Sequence, residues 1–234
     1  MTQTDDPQAT GSPEAATEVR MVLVRHGFSA SNKIHVFSGM NDVSLTPEGA
    51  EEVRAYRARG LYPTTQRHYS SPLRRCLQTF RAAYGEDCPL DGVLDEFHEV
   101  SFGSLEGRGL SDDDSMRLWH SWLEGTAYAA SFGVEPYADA RARGANAVRG
   151  LARSCAREGV ATVTVVTHSA IMRAALAGLA GLDEQGWLSL RVPNGMGYDL
   201  RLTCADGEAR LRRAIPLDPA APADAVVVPR PGAR

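Results

Sequence analysis

Two β-branched apolar runs, each ending in a histidine, constrain what this chain can fold into more than any other feature. Val19-Arg20-Met21-Val22-Leu23-Val24 runs into Arg25-His26-Gly27, and residues 160–167 (VATVTVVT) run into His168-Ser169. Short valine-rich runs of this kind read as strands buried on both faces of a sheet. Such strands need helices to cover them, and the intervening sequence supplies helical patterns.

Thr46-Pro47-Glu48 opens a helix with an N-cap residue, a proline at the first helical position and an acid in the first turn; Gly60 closes it. His68-Tyr69-Ser70 reads as a short strand. Ser71-Pro72 then starts a second helix, LRRCLQTFRAAY, which Gly85 ends. A long helical stretch covers about 136–157, and AIMRAALAGLAG follows His168 as another helix. Strands are expected at about 196–204 and 208–214. Strands alternating with helices predict an α/β fold, a three-layer α/β/α sandwich on a mainly parallel central sheet. Residues 1–19 are polar and Pro/Ala-rich and are expected to be disordered. The domain is expected over 20–215. Residues 216–234 read as a Pro/Ala-rich tail, with 226–228 able to form a short edge strand between prolines.

The composition excludes several function classes. The 234 residues carry a formal charge of −4 without a basic block, against nonspecific nucleic-acid binding. No apolar stretch reaches the ~18 residues of a membrane span. Of 25 basic residues only Lys33 is lysine, and it does not follow a glycine-rich phosphate loop, so P-loop NTPases and Schiff-base chemistry are excluded. Cys76, Cys88, Cys155 and Cys204 form no C-x-x-C pair and read as reduced, packed thiols. The N-terminal segment lacks the apolar core of a secretory signal. A cytoplasmic protein is expected.

Ligands on parallel sheets bind beyond the carboxyl ends of the strands. There the first strand supplies Arg25 and His26 with Asn32 close behind, the second supplies Arg74 early in its helix, and the third supplies His168 at a helix N-terminus. Two guanidiniums, two imidazoles and two helix N-termini suit a tetrahedral, multiply charged anion, and phosphate fits best. Each residue alone has a bland reading, as a capping histidine or a solvated arginine; the convergence carries the argument.

Five ordered blocks carry a resemblance. Arg25-His26-Gly27-Phe28-Ser29-Ala30-Ser31-Asn32 resembles R-H-G-x-S/T-x-x-N. Phe37-Ser38-Gly39-Met40-Asn41-Asp42 with Leu45-Thr46-Pro47-Glu48-Gly49 resembles F-x-G-x-x-D…L-T-x-x-G. The segment from Ser70 to Thr79 resembles S-S-P-L-x-R-x-x-x-T, that from Glu99 to Gly107 resembles E-x-x-x-G-x-x-E-G, and that from Val166 to Arg173 resembles V-S/T-H-G-x-x-x-R. These are the signatures of the histidine phosphatase superfamily, the phosphoglycerate-mutase-like proteins, over about residues 20–205.

The resemblance implies a covalent phosphohistidine on His26, with Glu99 as proton donor and Arg25, Asn32, Arg74 and His168 holding the phosphate oxygens. Ser38, Gly39 and Ser169 are candidate substrate contacts. No cofactor and no metal is implied. His26 has to be neutral to attack, and neighbouring arginines favour that form. Glu99 has to carry a proton in the first step, loaded by the field of the bound phosphate. Glu96 falls outside the block spacing, and Glu106 reads as a structural acid. His98 reads as exposed or as a support behind the site, and His35, His68 and His120 have no motif. Phe28 stands where the family commonly has an acid, which predicts a less polar rim, and Ser169 replaces a glycine.

Hydrolysis is favoured over a mutase reaction. A bisphosphate needs further positive charge, whereas the stretch after Glu106 is acidic (Asp112, Asp113, Asp114) apart from Arg108. A helical cap insertion is expected over about 108–135, where Trp119 and Trp122 share a helix face, as packing or as an aromatic wall for the leaving group. The expected partner is a small phosphorylated substrate, with no nucleic acid and no membrane, and a homodimer remains open. The alternatives are a cofactor-dependent phosphoglycerate mutase, a noncatalytic phospho-ligand-binding protein on the same fold, and, third, a metallophosphatase, whose dinuclear ligand spacing is missing.

Overall fold

Alternation along one strand builds two cores. In β1 (Thr17–Arg25) the side chains of Val19, Met21 and Leu23 face one way and those of Val22 and Val24 the other, all at most 1% exposed. The structure, a computed structural model, describes residues 16–222, 225–230 and 232. After β1 come a short α1 (Ala30–Lys33), α2 (Pro47–Ala58), β2 (Arg67–Ser70), α3 (Arg74–Tyr84) and β3 (Gly92–Val93). Then follow α4 (Asp112–Glu124), α5 (Ala127–Ala130), α6 (Tyr137–Arg157), β4 (Thr162–Thr167), α7 (Ser169–Ala180), α8 (Glu184–Ser189), β5 (Gly197–Ala205) and β6 (Glu208–Pro216).

The strands form one sheet in the order β3-β2-β4-β1-β5-β6. β3, β2, β4 and β1 pair in parallel, and β5 and β6 add antiparallel at the β1 side. On one face Val19, Met21, Leu23, Val163 and Val165 pack with Val148 and Ala152 of α6 and Met172 and Leu176 of α7. On the other, Val22, Val24 and Val166 pack with Val53 of α2 and Cys76 and Phe80 of α3. A third cluster, around Leu118, Trp122 and Trp187, joins the α4–α5 insertion to α7 and α8. This is the three-layer arrangement, with α4 and α5 between β3 and α6.

Local chemistry explains the helix limits. Thr46 Oγ1 accepts from the Gly49 amide at 3.0 Å and Pro47 takes the first helical position of α2. Ser111 caps α4, and the three aspartates fill its first turn, where the helix dipole favours negative charge. The acidic run therefore has a structural role. The second helix begins at Arg74, two residues beyond the expected start, with Leu73 as N-cap and no side-chain cap bond.

The first boundary shifts from expectation, whereas Val227 pairs at the sheet edge as the 226–228 reading allowed. Residues 17–19 belong to β1; of the segment read as disordered, 1–15 lie outside the described residues. The C-terminal stretch does not trail away: Val227 exchanges two backbone hydrogen bonds with Ala214 of β6, and Arg230 donates to the carbonyl of Ala180 at 2.9 Å and pairs with Asp183. Among the described residues no helix is long and apolar enough to cross a membrane.

Gly49 fixes how closely α2 approaches the loop after His26. A Cβ there would fall 2.1 Å from the carbonyl oxygen of Phe28. Gly49→Ala is therefore expected to cost about 1–3 kcal/mol, the usual penalty of overpacking, read as a lowered midpoint in urea unfolding.

Candidate active site

His26 follows directly on β1 and is only 6% exposed. Its amide donates to Thr167 O at 2.9 Å, and its carbonyl accepts from Gly195 N and from Asn194 Nδ2. Its Nδ1 lies 2.8 Å from Gly27 O. A carbonyl can only accept, so Nδ1 carries the proton and the lone pair sits on Nε2. Burial above all, then the charges of Arg25 and Arg75, hold the imidazole well below its ordinary value of 6.5, so it is neutral.

His168 is fully buried at the N-terminus of α7, its ring edge-on to His26 with centroids 5.3 Å apart. Arg75 Nε donates to its Nδ1 at 3.2 Å, and its Nε2 then carries the proton donated to Ser71 Oγ at 2.8 Å. Burial, Arg75 and His26 depress its protonation in the same direction. Both ring nitrogens are taken by protein, and His168 does not line the pocket. It stands edge-on against His26 and is part of that ring's environment.

A correction concerns Arg74. That side chain is exposed and pairs with Asp42 at 3.4 Å, outside the pocket. Its neighbour Arg75 is the buried one, at 0% exposure. Besides the bond to His168, Arg75 donates through Nη1 to Asn41 O at 2.7 Å and through Nη2 to Ser38 O and Gly39 O at 3.2 and 2.8 Å. The start of α3 at Arg74 points residues 75, 76, 79 and 80 inward. The x-R of S-S-P-L-x-R also falls on Arg75, so the signal was present in the sequence.

Glu99 is 5% exposed and is seated on the N-terminus of α7. Its Oε1 accepts from Val100 N and Ile171 N, both at 2.9 Å, and its Oε2 from Ala170 N at 3.1 Å. Of about four acceptor positions on a carboxylate, one on Oε2 stays free. Arg143 of α6 steadies the approach to this acid by donating to the carbonyls of Glu96 and His98, while its guanidinium grips Glu135 through two bonds.

Arg25, His26, Asn32, Arg75 and Glu99 line one pocket of about 210 Å³ together with Ser38 and Ser169. Arg25 spends one bond on Val192 O, and its Nε is buried without a partner among the described residues. Burial lowers it to about 10, with Glu99 acting in the opposite sense, so it stays charged near neutrality. Asn32 Oδ1 accepts from Ser29 N and Asn194 Nδ2, which leaves its amide NH₂ for the pocket.

Gly39 is not in this pocket. Its amide is consumed by Glu106, whose carboxylate also receives Met40 N, Asn41 N and Phe102 N. Phe28 does not line the pocket either; its backbone abuts α2. The sequence reading missed Arg173, one turn into α7. It lines the pocket, stacks over the Trp187 ring at 5.1 Å, and has a buried Nε without a partner among the described residues. It stands at the final R of the V-S/T-H-G-x-x-x-R block. Asn194 was also missed, and nothing in the sequence links it to His26. Cys76 touches His168, but burial pushes its thiol up to about 12, which makes it a poor nucleophile. Among the described residues no group of three or more His, Cys, Asp or Glu could hold a metal ion.

A neutral imidazole with a free Nε2, open guanidiniums and a buried carboxylate in one small pocket can bind an oxyanion and exchange a group with it. The chain belongs to the histidine phosphatase superfamily (branch 1), whose family model matches residues 21–214. It is 36% identical over 114 residues to a 2,3-bisphosphoglycerate-dependent phosphoglycerate mutase of Parvibaculum lavamentivorans, covering 44% of this chain and about half (52%) of that relative's length. A protein of the same description from Rhodococcus jostii is 28% identical over 216 residues, 77% of this chain and 84% of its own. Among solved structures, a phosphoserine phosphatase mutant from Entamoeba histolytica in complex with phosphoserine superposes with a TM-score of 0.67 at 20% identity, over 87% of this chain and all of the other. That likeness is one of fold.

Two measurements follow from the geometry. Both histidines are held neutral in the folded protein, whereas an unfolded imidazole takes up a proton below about 6.5. The unfolded state then binds more protons, so stability is full above pH 6.5. Below it, stability falls by about 1.4 kcal/mol per pH unit for each imidazole, as urea unfolding across pH 7.5–5 should record. Arg74→Ala is expected to change stability by less than about 1 kcal/mol, as for an exposed ion pair. Arg75→Ala strands buried acceptors and should cost about 3 kcal/mol or more in the same assay.

Proposed function

We propose that the protein is a metal-independent phosphomonoesterase that hydrolyses a small phosphorylated metabolite through a phosphohistidine on His26. The observation that carries the reading is the bond from Nδ1 of His26 to Gly27 O, which fixes the tautomer and leaves Nε2 as the nucleophile. Arg25, Arg75 and Arg173 supply positive charge around the phosphoryl oxygens, with Asn32 as a neutral donor. Such preorganised donors are commonly the largest contribution to phosphoryl transfer.

In the first step Nε2 forms the N–P bond as the ester P–O bond breaks. The leaving oxygen takes a proton from Glu99, whose free Oε2 position suits the task. In the second, water gives a proton to Glu99 and attacks phosphorus, the N–P bond breaks, and inorganic phosphate leaves with His26 neutral again.

The mutase reading is supported by the similarity to the two bacterial 2,3-bisphosphoglycerate-dependent phosphoglycerate mutases. Hydrolysis is supported by the pocket itself. Its charged lining residues are confined to Arg25, Arg75, Glu99 and Arg173, and the rest, the neutral His26 included, is uncharged, which leaves no second basic cluster for a bisphosphate. Arg108 is exposed and outside the pocket, and the aspartates of α4 follow it.

Phosphate release from p-nitrophenyl phosphate is expected with a chelator present. His26→Ala should abolish it, and Glu99→Gln should slow turnover of alkyl esters about 10²–10⁴-fold. Label from a phosphomonoester should be trapped as an alkali-stable, acid-labile adduct. Conversion of 3-phosphoglycerate only with added bisphosphate, and no hydrolysis, would overturn the proposal in favour of a mutase.

A further inference from the structure

Beyond its polar groups the pocket is lined by Val36, Phe37, Phe102, Trp119, Ala170 and Trp187. The four rings are contiguous. Phe37 lies 5.0 Å from Phe102 and 6.0 Å from Trp119, and Trp119 lies 5.8 Å from Phe102 and 5.4 Å from Trp187, centroid to centroid. They come from four separate places: the loop after α1, the turn before Gly103, the cap helix α4, and α8. Packing into the third cluster accounts for the buried Phe102 and Trp187, but not for the half-buried Phe37 and Trp119. On α4 the inward positions are filled by Leu118 and Trp122, 0% and 2% exposed, and the Trp122 indole donates to Glu135 O at 2.6 Å. Trp119 packs beside Trp122 and Trp187, its ring centroid 5.7 and 5.4 Å from theirs, yet it is only half-buried and lines the pocket.

We infer that the substrate is the phosphate ester of an alcohol bearing a flat aromatic ring without a second anionic group, with the ring seated against Trp119, Phe37 and Phe102. This rests on the phosphomonoesterase reading above. Aromatic rings prefer offset or edge-to-face partners at 4.5–7 Å, and such pairs add about 0.5–1.5 kcal/mol beyond simple burial. The wall offers that geometry on two elements that do not contribute to the phosphate cradle. Its one cation is Arg173 of the cradle, whose guanidinium lies over the Trp187 ring. Discrimination between esters would then reside mainly in the cap-borne Trp119.

The test uses the full-length protein and four esters with alkoxide leaving groups of similar basicity: benzyl, 2-naphthylmethyl, cyclohexylmethyl and butyl phosphate. The arylmethyl esters are expected to show a kcat/KM at least about threefold above cyclohexylmethyl phosphate and further above butyl phosphate. Trp119→Leu should erase the arylmethyl-to-cyclohexylmethyl ratio, and Trp119→Phe should restore most of it, a rescue that a purely structural role would not produce. Equal kcat/KM for benzyl and cyclohexylmethyl esters, or a ratio unmoved by Trp119→Leu, overturns the aromatic assignment and leaves hydrolysis intact. If none of the four is hydrolysed and no acid-labile phosphoenzyme forms, the phosphomonoesterase reading itself fails.

Discussion

A guanidinium with no exposed surface organises this molecule. Burying a cation is costly unless its donors are met, and Arg75 meets the cost with four hydrogen bonds to two otherwise unrelated parts of the chain. Three hold the carbonyls of Ser38, Gly39 and Asn41, so a loop without regular structure acquires a fixed path. The fourth sets the tautomer of His168. Glu106 clamps the same loop from the other side through its amides. Opposite charges, one on carbonyls and one on N–H groups, thus grip the backbone from both of its polar sides.

Around that anchor the site is assembled by hydrogen bonds to the main chain. Glu99 is oriented by three amides, His26 by its neighbour's carbonyl, and Asn194 ties the backbone of His26 and Gly27 to Asn32. Main-chain partners move only when whole elements move, so the nucleophile and the acid inherit the rigidity of β1 and α7. Low dielectric keeps both imidazoles uncharged, which is the condition nucleophilic attack requires.

Much of this was legible because the relevant signals are local. Valine-rich strands, the Thr46-Pro47 cap, and glycines at 60 and 85 mark the elements, and strand ends mark the pocket edge. Arg74 and Arg75 could not be told apart by strand-end reasoning, since the choice depends on where α3 begins, and that start lacks a capping side chain. The burial of His168 and the partners of its two nitrogens are tertiary facts too. Asn194 and Val192 reach the site from a loop far along the chain, and no local pattern announces such a visit. The paired tryptophans do share a helix face, their rings 5.7 Å apart and both against Trp187; that Trp122 is buried while Trp119 is only half-buried depends on tertiary packing.

The sheet's two margins are unlike its middle. At one, β3 is two residues long; at the other, the outward N–H and C=O of Ala214 in β6 are both bonded by Val227. A strand edge with free amides and carbonyls is a template for any extended peptide that meets it. Here one border is too brief to template much, and the other is partly occupied by the protein's own backbone. Cross-strand recruitment of a stray chain is thereby discouraged, a safeguard against fibrous assembly built from the same polypeptide that carries the chemistry.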